Sequence, residues 1–174
     1  MWDFFETVRN RHSIRKYQSD MPVEKEKLHA IIEMACAAPS AGDIQAYRII
    51  VVSNEAKKDS LSTAANNQSF ISEAPLCLVF CALPEESRKQ FADRGANLYA
   101  LQDATIAAAY AQLAVVAAGL SSTWVGYFDE DKIKSILKLD ETQIPVAMLS
   151  IGYPAEIAEA THRAALNDIV IFEE

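Results

Sequence analysis

The heptapeptide RHSIRKY, residues 11–17, gathers Arg11, His12, Arg15 and Lys16 around Ser13 in a chain that is otherwise acidic, with 24 Asp and Glu against 16 Lys and Arg. Guanidinium groups beside a hydroxyl form a fork of donors suited to an anion. The same cations also suit the C-terminal turn of a short helix, where they complement the helix dipole. Asp3 followed by Glu6 reads as a capping box that opens such a helix through Asn10. A second stretch, AAPSAGDIQAY (37–47), sets Pro39, Ser40, Asp43 and Gln45 among small residues that let backbone approach a ligand, although loops of this composition are common. A third, GLSSTWVGYF (119–128), carries Trp124, Val125 and Gly126. An aromatic strand is usually core, but a glycine within one permits close approach to a flat ligand. The fourth is IGYPAE (151–156), with Arg163 following in THRAALNDIVIFEE.

Other chemistries find little support. The five glycines form neither GxGxxG nor GxxxxGK[ST], which disfavours a dinucleotide or P-loop site. His12, His29 and His162 are isolated, and HExxH and paired-cysteine spacings are absent, so a metal site is not expected. There is no GxSxG elbow. His12 and Ser13 are adjacent, and neighbours in sequence seldom face each other on a helix. A pI near 4.9 argues against nucleic acid or an anionic membrane as partner. Cys36, Cys77 and Cys81 all lie in apolar runs and read as reduced core thiols of a cytosolic protein. Cys77 and Cys81 would share one strand face about 13 Å apart, too far to chelate a metal together. The segment MWDFFETVRNR lacks the basic head and apolar run of a signal peptide.

The elements that must position these motifs follow from periodicity. PVEKEKLHAIIEMACAAP is a helix with Leu28, Ile31, Ile32, Ala35 and Cys36 on one face, stopped by Pro39. AYRIIVVS, PLCLVFCAL, STWVGYF and PVAMLSIGYP read as strands, and DIVIFEE as a terminal one. Asn54 opens an amphipathic helix and DEDKIKSILKL is a capped one. The stretch PEESRKQFADRG reads as a mobile charged loop or short helix. An alanine-rich helix from Asn97 to Ala118 ends at Gly119 in the C′ position, with Leu120 beyond it. The 25 residues from Ala104 to Phe128 hold no charge. The break at GLSS leaves this helix short of the roughly 20 residues a bilayer demands, so it reads as buried in a core or a subunit interface. Its 174 residues read as one domain, 1–174. Alternating helix and strand would suggest a doubly wound parallel sheet, but the missing glycine-rich turn weighs against it.

Taken together and in order, the four stretches resemble the nitroreductase family of FMN-dependent oxidoreductases. The family pattern runs from R-x-S-x-R/K-x-Y/F through P-S-x-x-N-x-Q-P-W, an alanine-rich helix ending in G-L and a W-I-G-like strand, to G-x-P-x-E and a late arginine. The resemblance spans Arg11 to Arg163. It implies an α+β fold, with a mixed, largely antiparallel sheet flanked by helices, in an intertwined homodimer with FMN at the subunit interface. The terminal segment would add a strand to the partner's sheet.

By position, the resemblance makes Arg11, His12, Ser13 and Arg15 the first FMN segment. Arg11 and Ser13, with Arg163, would hold the phosphate and ribityl chain. Arg15 would sit near the pyrimidine edge and favour the reduced cofactor electrostatically. Asn67 would meet the ring edge. Pro39, Ser40, Asp43 and Gln45 would come from the partner. Trp124 and Val125 lead to Gly126, whose N–H would face flavin N5. Arg15 and Gly126 would thus carry the catalysis. NADH or NADPH would supply hydride in a ping-pong scheme, with a nitroaromatic or quinone as acceptor. The same fold also supports reductive dehalogenation, flavin fragmentation and non-catalytic flavin carriage. Two departures stand out: Asp43 replaces the family asparagine, and Ala46-Tyr47 replaces its Pro-Trp.

Overall fold

Seven consecutive residues, Leu76–Ala82, are all buried and form the middle of a four-stranded sheet. In the computed structural model, which describes residues 3–159 and 161–173, the strands are β1 (Tyr47–Val52), β2 (Leu76–Ala82), β3 (Ser121–Val125) and β4 (Ile144–Gly152). Their order is β1-β2-β4-β3, and every neighbouring pair is antiparallel. Among the described residues the one parallel contact is an isolated bridge between Ser13 and Ser122. The sheet is therefore largely antiparallel, as the resemblance implies, and not doubly wound.

Helices cover both faces, which is why the central strand is apolar without alternation. Cys77, Val79 and Cys81 face one layer with Leu61, Ile71 and Ile133. These last come from α3 (Glu55–Ala64), α4 (Phe70–Glu73) and α7 (Glu130–Leu137). Leu76, Leu78 and Phe80 face the other layer, where Ile31 and Ala35 meet Ala107, Ala108, Ala111 and Val115. There α2 (Lys25–Cys36) lies beside α6 (Ala100–Ala117), and the alanines let the helices and sheet approach closely. Half of the apolar helix is thus a core helix.

Local signals set the ends. Asp3 Oδ1 accepts from the Glu6 N–H at 2.8 Å and opens α1 (Phe4–Asn10). Asn54 and Asp129 cap α3 and α7 in the same way. At the end of α6, Leu120 N–H reaches Val115 O and Gly119 N–H reaches Val116 O, with Gly119 at φ +76°. This is a Schellman closure, which needs a left-handed residue at its turn.

One open reading is decided and three expectations are corrected. Of the loop and the short helix, PEESRKQFADRG is the helix, α5 (Pro84–Arg94), eleven residues long, because Glu85 and Glu86 pair with Arg88 and Lys89 three residues on. It kinks at Ala92 and passes through a π-helical turn, Gly95–Tyr99, so α6 starts three residues later than Asn97. DIVIFEE forms no strand within its own chain among the described residues: α8 (Leu166–Ile169) is a single helical turn, and residues 170–173 are irregular and exposed. Cys36 is exposed at the end of α2, whereas Cys77 and Cys81 are core thiols.

Candidate functional site

Residues 13–18 are stitched along the β3–β4 edge of the sheet. Ile14 N–H donates to Ser122 O at 3.2 Å, Gln18 N–H to Tyr153 O at 2.9 Å, and Ala155 N–H to Lys16 O at 2.9 Å. Thr123 Oγ1 also donates to Ile14 O. Ile14 and Tyr17 are buried, which turns Ser13, Arg15 and Lys16 outward. The Tyr17 hydroxyl donates to Ile14 O at 2.6 Å, and its burial pushes the phenol above its usual pKa. Glu156 Oε1 accepts from the Arg15 and Lys16 amides at 2.6 and 3.1 Å, fixing the backbone from which Arg15 projects.

Beside this segment lies a cavity of about 530 Å³, lined by Ser13, Arg15, Glu156, Ile157, Ala158, Glu159, Thr161 and His162. That volume suits a cofactor or drug-sized ligand. The Arg15 guanidinium stands 5.8 Å from the centre of the Phe70 ring. The loop before Phe70 holds Asn66 and Asn67 at φ +60° and +58°, a conformation asparagine tolerates better than most residues. Asn66 and Gln68 side chains donate to Tyr127 O at 3.4 and 3.5 Å. Asp129 N–H donates to Ala64 O at 2.9 Å. The turn bearing Asn67 is thereby fastened to the turn that follows β3 and carries Gly126.

Gly126 needs no left-handed backbone, and a Cβ there would meet only the Trp124 indole, 3.4 Å away. Nothing in its own chain demands a glycine, whereas a flat ligand lying against the backbone would. Val125 is buried in the core and can offer such a ligand only its backbone; Trp124 is half-buried. Open space at Gly126 suits a flat ligand. The Ser13–Arg15 cavity sets the polar groups of Ser13, Arg15, Thr161 and His162 against the carboxylates of Glu156 and Glu159, of which Glu156 is taken up by the Arg15 and Lys16 amides. A phosphorylated aromatic cofactor fits this arrangement with its anionic parts at Ser13 and Arg15.

Pro39, Ser40, Asp43 and Gln45 fall in a separate place, against the α2 and α6 layer. Gln45 N–H donates to Ser40 Oγ at 2.9 Å and Gln45 Nε2 to Cys36 O at 3.0 Å. Ala41 N–H donates to Asp103 Oδ1 at 2.9 Å. Gly42, Asp43 and Gln45 all have positive φ, at 58°, 57° and 54°. Asp43 itself is exposed. None of these residues lines the Ser13–Arg15 cavity. Arg11 and His12 follow α1, and Arg163 donates to His162 O at 3.2 Å; these three also lie outside the lining.

Sequence reasoning passed over Glu156, Thr161 and His162. Glu156 stood in the quoted IGYPAE, but its acceptor role depends on a contact 141 residues away. His162 was weighed only as a metal ligand.

An antiparallel sheet clothed by helices, with a polar cavity and an uncrowded glycine at one edge, defines a cofactor-binding α+β protein. The model of the nitroreductase family matches residues 8–68 and 61–153, and the chain belongs to that family. A Thermus thermophilus protein named NADH dehydrogenase is 33% identical over 189 residues, spanning 93% of this chain and 92% of its own length. A Bacillus subtilis FMN reductase (NADPH) is 30% identical, spanning 88% of this chain and 66% of its own. The solved structure of NfrA2 from B. megaterium superposes with a TM-score of 0.91 at 29% identity, over 100% of this chain and 75% of its own.

Proposed function

We propose that this chain is an FMN-dependent NAD(P)H oxidoreductase that works as a homodimer, each flavin lying between two subunits. The carrying observation is that the residues which the resemblance assigns to the flavin fall into two groups on one chain. Ser13 and Arg15 line the cavity at the β3–β4 edge, and the turns bearing Asn67 and Gly126 are fastened to each other through Asn66 and Gln68, while Pro39, Ser40, Asp43 and Gln45 lie against α2 and α6. A second subunit completes such a site. Membership of a family whose relatives include an FMN reductase supports the cofactor and the reductant.

When bound, FMN would supply two-electron chemistry between a nicotinamide nucleotide and an acceptor, a nitroaromatic or quinone in this reading. Arg11, Ser13 and Arg163 hold the phosphate end through charge-assisted hydrogen bonds. Arg15, anchored through its amide by Glu156 and steadied on Phe70, supplies fixed positive charge where negative charge develops. Gly126 offers its backbone N–H, and Val125 behind it keeps that backbone anchored in the core. No side-chain acid or base is required. Donor and acceptor use one stacking face in turn, which gives ping-pong kinetics.

The test is optical. The purified protein should be yellow and should bleach with NADH or NADPH under argon, then recover colour on adding a quinone. A flavin that binds but resists both nucleotides would make this a carrier and end the enzymatic reading.

A further inference from the structure

Helix α5 carries three acids and three bases: Glu85, Glu86, Asp93, Arg88, Lys89 and Arg94. Two of the bases consume all three acids. Arg88 pairs with Glu85 at 3.2 Å and with Asp93, and Lys89 pairs with Glu86. Arg94 is exposed and forms no ion pair among the described residues.

Its guanidinium is nonetheless held in place. Arg94 Nε donates to the Tyr99 hydroxyl at 2.9 Å, and its guanidinium carbon stands 5.5 Å from the centre of the same ring. Tyr99 packs edge-on against Phe91 at 5.2 Å. Phe91 in turn closes on Gly42, where a Cβ would come within 2.9 Å of its ring. An aromatic clamp orients a guanidinium without cancelling its charge. A run of contacts therefore fixes an unneutralised cation on the shoulder of the loop that carries Asp43 and Gln45.

The geometry points to Arg94 as a specificity-determining residue that receives a phosphate group of the incoming nicotinamide nucleotide. The inference rests on the proposed placement of the 39–45 loop at the flavin. The ligand chemistry is a phosphate mono- or diester, and two such groups are available: the 2′-phosphate found only in NADPH and the pyrophosphate common to both nucleotides. The aromatic contact holds Arg94 by itself and, unlike an ion pair, leaves the charge free, so the guanidinium stands as a prearranged donor for an anion.

Steady-state kinetics of the FMN-loaded wild type, Arg94→Gln and Arg94→Lys, with NADPH and NADH in turn, test this. Calorimetric titration of the same proteins with 2′,5′-ADP and with 5′-ADP gives a readout independent of turnover. Arg94→Gln should raise KM and weaken nucleotide binding by about tenfold, the scale of one charge-assisted contact, and Arg94→Lys should restore part of the loss. A change confined to NADPH and 2′,5′-ADP assigns the contact to the 2′-phosphate; equal changes with both nucleotides assign it to the pyrophosphate. If Arg94→Gln leaves KM and both dissociation constants within twofold of the wild type, the inference is overturned. A wild type that oxidises neither nucleotide would instead overturn the flavoenzyme reading, and the calorimetric arm would still decide whether Arg94 binds phosphate.

Discussion

At the scale of single residues, Asp43 is the informative departure from its family. Its φ of 57° lies in the left-handed region, where Asp and Asn are both tolerated, so the exchange costs the backbone little. What changes is charge. A carboxylate facing the flavin raises the energy of the reduced cofactor, so Asp43→Asn should move the two-electron potential in the positive direction. With an effective dielectric of about 20 and a separation of about 8 Å the shift is at most about 40 mV. Spectroelectrochemical titration of both variants measures it; a shift below about 10 mV, or one of opposite sign, would mean that Asp43 faces away from the flavin.

The core thiols give a second prediction at this scale. Burial pushes Cys77 up to about 12 and Cys81 up to about 11, because the apolar layer disfavours the thiolate. In the unfolded chain these thiols titrate from about pH 9, so above that pH the unfolded state releases protons that the folded state still holds. Their contribution to stability is complete below pH 9 and is lost as pH rises toward 11 and 12. Buried Tyr17, also raised, adds in the same direction. Urea unfolding at pH 8 and pH 10 should show a lower midpoint at pH 10, and Cys77→Ala should flatten the difference.

At the scale of elements, two neighbouring residues in the α5–α6 connection should respond oppositely. Ala92 has φ 49° and ψ −141°, a strained backbone for any residue with a Cβ, so Ala92→Gly should stabilise the protein by about 1 kcal/mol. Gly95 has no room for a Cβ, which would collide with the Ser87 carbonyl oxygen, so Gly95→Ala should cost about 1–3 kcal/mol. Thermal unfolding of the two variants checks both signs. This connection was also where sequence reading left loop and short helix open. The charged composition of 84–94 carries no hydrophobic stripe, and its helix is held by local ion pairs and by Phe91 against Gly42 and Tyr99. The four sheet strands and the Gly119 closure were legible because apolar runs and a left-handed glycine are local signals. DIVIFEE begins in a helical turn in its own chain because β-branched composition alone does not supply a neighbouring strand; its pairing with a partner's sheet belongs to the proposed dimer. Of the cavity lining, Ser13 and Arg15 were legible as a motif, but Glu156 and Thr161 join them only through contacts across the whole chain.

At the scale of the molecule, apolar surface is left uncovered in one chain. Phe4, Met34, Tyr110 and Leu113 line a groove of about 420 Å³ beside α1 and α6, and Leu166, Ile171 and Phe172 are exposed along the C-terminal segment. Patches of this kind mark an interface. Light scattering at micromolar concentration should give twice the 19.2 kDa chain mass, and removing residues 166–174 should shift the population toward single chains. A stable species at one chain mass would contradict the shared flavin site.

The strand order β1-β2-β4-β3 has a consequence for how the protein is made. On the ribosome, β3 emerges before β4, yet β4 is its partner in the sheet and also closes the open edge of β2. Until Gly152 has cleared the exit tunnel, the two edges that β4 will pair, one on β2 and one on β3, stay open, and the apolar run LCLVFCA is paired only on its β1 side. Such edges invite pairing with other chains. Synthesis of the last strand of the sheet is therefore the step that ends this exposure, and a pause between residues 125 and 144 would prolong the interval in which a holding chaperone is most useful.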